Sequence, residues 1–117
     1  MKIDRFEDIM AWQKAKELTV EIYRLFLESK DFGFKDQIQR ASLSIMNNIA
    51  EGFERQTNNE LKHFLFIAKG SCGEVRSMLI LAKEIQKVPH DKLEELHILS
   101  EEISKMLSAF IKTLKTL

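Results

Sequence analysis

Proline occurs once in this chain, cysteine once and glycine four times. Each scarcity removes a class of architecture. A single cysteine, Cys72, leaves no intrachain disulfide, so the fold must rest on its apolar core, and a reducing compartment suits it. Few prolines and glycines mean few points at which a helix has to break. An excess of one charge is also missing: 18 Lys and Arg balance 18 Asp and Glu. A chain that wraps nucleic acid ordinarily carries a basic excess, because neutralising phosphates supplies most of the affinity. Any such contact here has to come from a local patch. No apolar run approaches the roughly 20 residues needed to span a bilayer. The charged opening Met1-Lys2-Ile3-Asp4-Arg5 has no signal-peptide core. The expectation is a cytoplasmic protein without membrane association.

What is present is helix-forming residues, chiefly Leu, Glu, Lys and Ala, over 117 positions. That length suits one domain, 1–117, with a core that needs no structural metal. Apolar residues at three- and four-residue spacing mark four helices. The first should run from about Glu7 to Glu28, with Ile9, Trp12, Ala15, Leu18, Ile22, Leu25 and Phe26 inward and Met10, Tyr23 and Leu27 off the stripe. A loop, Lys30-Asp31-Phe32-Gly33, should follow, with Gly33 supplying backbone freedom. The second helix should span about Phe34 to Arg55, with Ile38, Ala41, Ile45, Ile49 and Phe53 on one face and Leu43, Met46 and Ala50 on another. Helix three opens at a capping box, Thr57-Asn58-Asn59-Glu60, and ends before Val88-Pro89. Its core stripe is Leu61, Phe64, Leu65, Ala68, Cys72, Val75, Leu79 and Ala82, widened by Phe66, Ile67, Met78, Ile80 and Leu81. Two interior glycines, Gly70 and Gly73, cost about 1 kcal/mol each relative to Ala, so another helix backbone is expected to approach closely there. Helix four should run from Pro89 to Leu114, on a seam of Leu96, Leu99, Ile103, Met106, Phe110, Leu114 and Leu117. Four such helices on short loops predict an all-α, up-and-down antiparallel four-helix bundle.

The second helix carries a recognisable run. Asp36-Gln37-Ile38-Gln39-Arg40-Ala41-Ser42-Leu43-Ser44-Ile45-Met46-Asn47-Asn48-Ile49-Ala50-Glu51-Gly52 resembles the signature of the four-helix-bundle family encoded in intervening sequences of 23S rRNA genes. Phe6-Glu7-Asp8-Ile9 with Trp12-Gln13-Lys14-Ala15, and Phe64-Leu65-Phe66-Ile67-Ala68-Lys69-Gly70-Ser71 with Glu74, are similar to its first and third helices. The resemblance implies a bundle that often assembles as a ring of five. The accessory protein of diversity-generating retroelements shares the fold and works with reverse transcriptase and RNA. That relative is markedly basic, and this chain is neutral.

Several constellations carry possible chemistry. Glu60 with His63, and Glu94 with His97, are Glu-x-x-His pairs of the di-iron type. Each pair opens its helix, so antiparallel packing separates them by roughly 30 Å at 1.5 Å per residue, and no metal or other cofactor is expected. Cys72 lies among small core-facing residues and reads as a buried thiol. Arg40, Ser44, Asn47 and Glu51, with Asn48 beside them, share one polar stripe of helix two. That stripe is solvated, or it is a hydrogen-bonded seam inside the bundle or between subunits, reached by Ser71 and Glu74. In the seam reading, loss of Arg40 or Glu51 strands a buried charge. Lys62, Lys69, Arg76 and Lys83 recur every seven residues on helix three, with Lys87 a turn further. Such a line contacts phosphates, faces solvent, or pairs with acids such as Glu17, Glu21 and Glu28. No catalytic constellation emerges. The sequence therefore reads as a non-enzymatic, self-associating structural or interaction protein, with an RNA-binding accessory role on the helix-three basic line as the alternative.

Overall fold

In the computed structural model, which describes residues 2–116, a 3₁₀ turn at Phe6–Asp8 precedes α1 (Met10–Leu25), α2 (Phe32–Phe53), α3 (Asn58–Ile85) and α4 (His90–Thr113). Each helix packs on its neighbours in chain order, and α4 closes back onto α1. The diagonal pairs, α1 with α3 and α2 with α4, bring no Cα atoms within 8 Å of each other among the described residues. The four helices thus occupy the corners of a square prism with overall extents of 48 × 22 × 20 Å. Hydrogen bonds tie the loops at both ends. Gln86, just past α3, accepts from the Ser29 hydroxyl at 3.0 Å and donates to Asp31 at 3.1 Å. At the other end Asn58 donates to the Lys115 carbonyl at 2.8 Å. The all-α, up-and-down expectation holds.

The core is built from the β-branched and large aliphatic positions of all four helices. Leu18, Ile22, Ile38, Ile45, Ile49, Leu65, Val75, Leu79, Ile103 and Leu107 are fully enclosed, and so is Phe26 in the turn after α1. Each contributes about 1.5–3 kcal/mol by leaving water. Met10 and Leu27, expected off the stripe of α1, are well exposed. Buried hydroxyls are satisfied locally: Thr19 donates to the Ala15 carbonyl at 2.8 Å, and Ser100 to the His97 carbonyl at 2.7 Å.

Several expectations need correction. The first helix starts at Met10 rather than Glu7. Ile9 is extended, and the preceding 3₁₀ turn lays Phe6 edge-on against Trp12, with ring centroids 5.2 Å apart. This helix also ends earlier, at Leu25. Past it, Phe26 drops into the core edge-on to Phe34, at 5.4 Å. Phe32 and Gly33 belong to α2, not to a loop. Asp31 makes the turn instead, its carboxylate accepting the Phe34 N–H at 3.2 Å, and no glycine among the described residues has positive φ. The second helix ends at Phe53, two residues short of Arg55. Thr57 caps α3 as expected, accepting the Glu60 N–H at 3.1 Å. The Glu60 carboxylate, however, accepts from the Thr57 hydroxyl rather than reaching the backbone N–H.

On α4 the enclosed seam is Leu93, Leu96, Ser100, Ile103, Leu107 and Ile111. Leu99, Met106, Phe110 and Leu114 are only partly covered, and Leu117 lies outside the described residues. The helix has more apolar positions than a two-in-seven seam needs. Its corner position between α1 and α3 selects which of them are enclosed. On α3, Met78 is buried, but Phe66, Ile67, Ile80 and Leu81 face outward.

The close approach expected at Gly70 and Gly73 is absent within the chain. A Cβ built at either position meets nothing within 4 Å. The tight glycine is Gly52, where a Cβ would stand 2.7 Å from the Phe64 Cβ and 3.3 Å from the Leu61 carbonyl oxygen. That absence of a side chain lets the end of α2 lie against the first turns of α3.

Candidate functional site

The polar stripe of α2 divides in two. Its inner part is a short network between α2 and α3. The Ser71 hydroxyl donates to the Ser44 hydroxyl oxygen at 2.8 Å, and the Asn48 amide donates to the same oxygen at 3.0 Å and to the Ser44 carbonyl at 2.7 Å. These three side chains form a hydrogen-bonded seam, as paired buried polar groups must. The outer part is solvated within one subunit. Arg40 pairs with Asp36 at 2.9 Å and Glu51 with Arg55 at 2.9 Å, all four well exposed. Asn47 and Glu74 are exposed too, and Glu74 meets only the Gln37 amide at 3.5 Å. The seam expected along the whole stripe is therefore limited to Ser44, Asn48 and Ser71 inside the chain. Helical geometry explains the split: Ser44 and Asn48 are one turn apart and turned toward α3, while Arg40, Asn47 and Glu51 sit on the outward flank.

The outward face of α3 carries several exposed apolar side chains. Phe66, Ile80 and Ile85 are each more than half exposed, at 56%, 58% and 52%, with Ile67 and Leu81 beside them. Gly70 and Gly73 lie between these side chains and open onto empty space. Lys62, Lys69, Arg76 and Lys83 run along the flank nearer α4, where Lys83 and Ile80 border a groove with His90, Leu93 and His97. Lys87 lies past the end of α3, in the turn before α4, so it leaves the helical line. None of these five cations forms an ion pair among the described residues. Of the acids expected to pair with them, Glu17 and Glu21 belong to α1, which lies diagonal to α3, while Glu28, in the turn after α1, borders a groove with Lys87 without an ion pair between them. Glu17 and Glu21 instead face Lys14 at 3.5 Å and Arg24 at 3.0 Å.

A second groove, of about 380 Å³, runs between α1 and α4. Four carboxylates line it, from Glu17, Glu21, Glu95 and Glu102, against the ammonium groups of Lys14 and Lys92. Sequence reading missed this surface because its two walls lie more than seventy residues apart in the chain. The acid-rich stretch Asp91 to Glu102 was its one visible signal.

The histidine motifs do not converge. His63 is exposed and edge-on to Phe64 at 5.5 Å, while the His97 Nε2 meets Glu101 at 3.2 Å. No group of three His, Cys, Asp or Glu side chains among the described residues is placed to hold a metal. Cys72 is fully buried, and desolvation pushes its thiol up to about 12, against a smaller opposing pull from Arg76 and Lys69. A thiol held so strongly protonated is not a nucleophile at neutral pH. No helix among the described residues is long and apolar enough to cross a membrane.

Fold and surfaces together define an all-helical bundle whose distinctive chemistry lies on its outer faces. The chain belongs to the 23S rRNA-intervening sequence protein family, whose model matches residues 7–109. It is similar to a solved protein of unknown function from the S23 ribosomal protein family of Bacteroides thetaiotaomicron VPI-5482, with 29% identity and a TM-score of 0.82. That alignment covers 88% of this chain and 99% of the other. None of the curated proteins compared with it matches. Neither the family nor the solved relative is described as an enzyme.

Proposed function

We propose that this protein is a non-enzymatic, cytoplasmic interaction protein that acts as a homo-oligomer, with a ring of five the leading form. One observation carries the reading: the outward face of α3 leaves Phe66, Ile67, Ile80, Leu81 and Ile85 in water. Large apolar side chains left exposed along one helix support an interaction site there. The resemblance of α2 to a family that often forms pentameric rings favours five copies. No convergent set of nucleophile, base and pocket competes with this reading among the surface grooves. Multi-angle light scattering at tens of micromolar tests it. The expected mass is a multiple of the 13.7 kDa subunit, and a monomer at that concentration refutes it.

A second reading, RNA binding, draws on the absence of any intramolecular ion pair at Lys62, Lys69, Arg76, Lys83 and Lys87. Net neutrality limits it to weak, salt-sensitive contact with phosphates. Fluorescence anisotropy with single-stranded RNA separates the two readings. Submicromolar binding that survives physiological salt, and that vanishes when the basic line is reversed, puts RNA first.

A further inference from the structure

Resting on the self-association reading, we infer that the outer face of α3 docks into the acidic α1–α4 groove of the next copy, so that the assembly is head-to-tail. The occupant is a second copy of this chain, and charge complementarity identifies it. The α3 face presents Phe66 and, roughly 21 Å further along at 1.5 Å per residue, Ile80 and Leu81; Lys69, Arg76 and Lys83, none of them ion-paired among the described residues, edge it toward α4, and Glu74 and Glu84 are exposed on the same helix. The groove presents Glu17, Glu21, Glu95 and Glu102, outnumbering the Lys14 and Lys92 that also line it, beside the side chains of Leu96, Ile98 and Leu99. Opposite charges flank apolar surface on both sides, which fixes register and orientation.

Symmetry sharpens the choice. A two-fold pairing of α3 against an antiparallel α3 keeps each flank on its own side of the contact. Lys69, Arg76 and Lys83 of one copy then meet the same cations of the other, which repel. Docking into the α1–α4 groove sets those cations against carboxylates. The two faces lie on different sides of the prism, since α1 and α3 are diagonal. They are neither one surface nor back to back, so each docking step turns the next copy, and the assembly closes into a ring where those turns complete a full circle. Area points the same way. The 28 residues of α3 make a cylinder about 42 Å long and about 10 Å wide, so a single flat face offers roughly 400 Å². A standard interface needs about 800 Å² per partner, and a groove that wraps both flanks of the helix comes nearer to it. Gly70 and Gly73 give the docking its depth, because they leave the backbone bare where the groove floor has to approach.

The test is charge reversal with rescue, read by light scattering, with far-UV circular dichroism as the control for folding. One variant carries Lys69→Glu, Arg76→Glu and Lys83→Glu. A second carries Glu17→Lys, Glu95→Lys and Glu102→Lys, and a third combines all six. Each triple alone is expected to weaken assembly at least tenfold. The six-fold variant regains it. Gly70→Leu, whose Cβ meets nothing inside the subunit, is expected to fold and to dissociate. Assembly that ignores both triples and Gly70→Leu overturns the assignment of faces. So does loss in the triples without recovery in the six-fold variant. A wild-type protein that is monomeric refutes the underlying self-association, whereas an oligomer indifferent to these changes refutes only the choice of surfaces.

Discussion

Three of the four glycines inside α2 and α3, Gly52, Gly70 and Gly73, give the sharpest energetic test of the packing. Replacing any interior helical glycine by alanine stabilises the helix by up to about 1 kcal/mol, because the unfolded chain loses freedom. At Gly70 and Gly73 nothing opposes that gain within the subunit, since a Cβ there meets no atom within 4 Å. At Gly52 the new Cβ falls 2.7 Å from the Phe64 Cβ, 3.1 Å from the Leu61 Cδ1 and 3.3 Å from the Leu61 carbonyl oxygen. Leu61 can rotate its Cδ1 away, but the Phe64 Cβ and the carbonyl are fixed to the α3 backbone. The helices must therefore separate locally, and overpacking of this kind costs about 1–3 kcal/mol. With the upper end taken for a backbone-anchored clash, Gly52→Ala destabilises by about 2 kcal/mol net, while Gly70→Ala stabilises the isolated subunit by about 1 kcal/mol. Urea denaturation, performed below the concentration at which copies associate, measures both. At about 4 °C per kcal/mol, the two melting temperatures should differ by roughly 12 °C. Equal stability of the two variants would refute the close approach at Gly52 and with it the account of how α2 meets α3.

Ser44→Ala removes the acceptor shared by Ser71 and Asn48 and should cost about 1 kcal/mol in urea denaturation, because two partly buried donors lose a partner. Arg40→Ala and Glu51→Ala each remove one exposed ion pair. They should change the stability of the dissociated subunit by less than about 1 kcal/mol, and a loss of roughly 3–5 kcal/mol on assembled protein would place those charges in an interface. The Cys72 thiol, pushed up to about 12 in the folded state, keeps its proton where the unfolded thiol has lost it. Its contribution is complete below about pH 8.5, the ordinary thiol value, and is lost as pH rises toward 12. Stability should therefore fall more steeply between pH 8 and pH 10 for the wild type than for Cys72→Ala, when both are followed by urea denaturation. Native protein at pH 8 should also resist alkylation at Cys72 until unfolded.

Local pattern was enough to find the four helices, most of their inward faces and the Thr57 cap, because periodicity and capping depend on residues three or four apart. The bundle follows almost directly, since four amphipathic segments on short loops have few other ways to bury their stripes. The seam of α4 was not legible at that level. Leu93, Leu96, Leu99, Ile103, Met106, Leu107, Phe110 and Ile111 make an apolar band wider than one contact can cover, and only the positions of α1 and α3 decide which half is enclosed. The same limit applies to the glycines. Sequence marks Gly70 and Gly73 as costly, but what a backbone meets in space is a property of the neighbouring helix. Tertiary structure moved the close approach to Gly52 and left the α3 pair bare.

The surfaces divide along the same line. The basic residues of α3 were legible because they repeat along one helix. The acids expected to neutralise them were misassigned, because pairing depends on which helices are adjacent, and α1 stands diagonal to α3. Composition and local spacing by themselves determined an all-helical, uncrosslinked bundle with a buried core thiol and no excess charge. Only packing decided that the polar stripe of α2 is half seam and half solvent. Only packing brought Glu17 and Glu21 beside Glu95 and Glu102, since burial and electrostatic contact arise between segments that the chain itself keeps far apart.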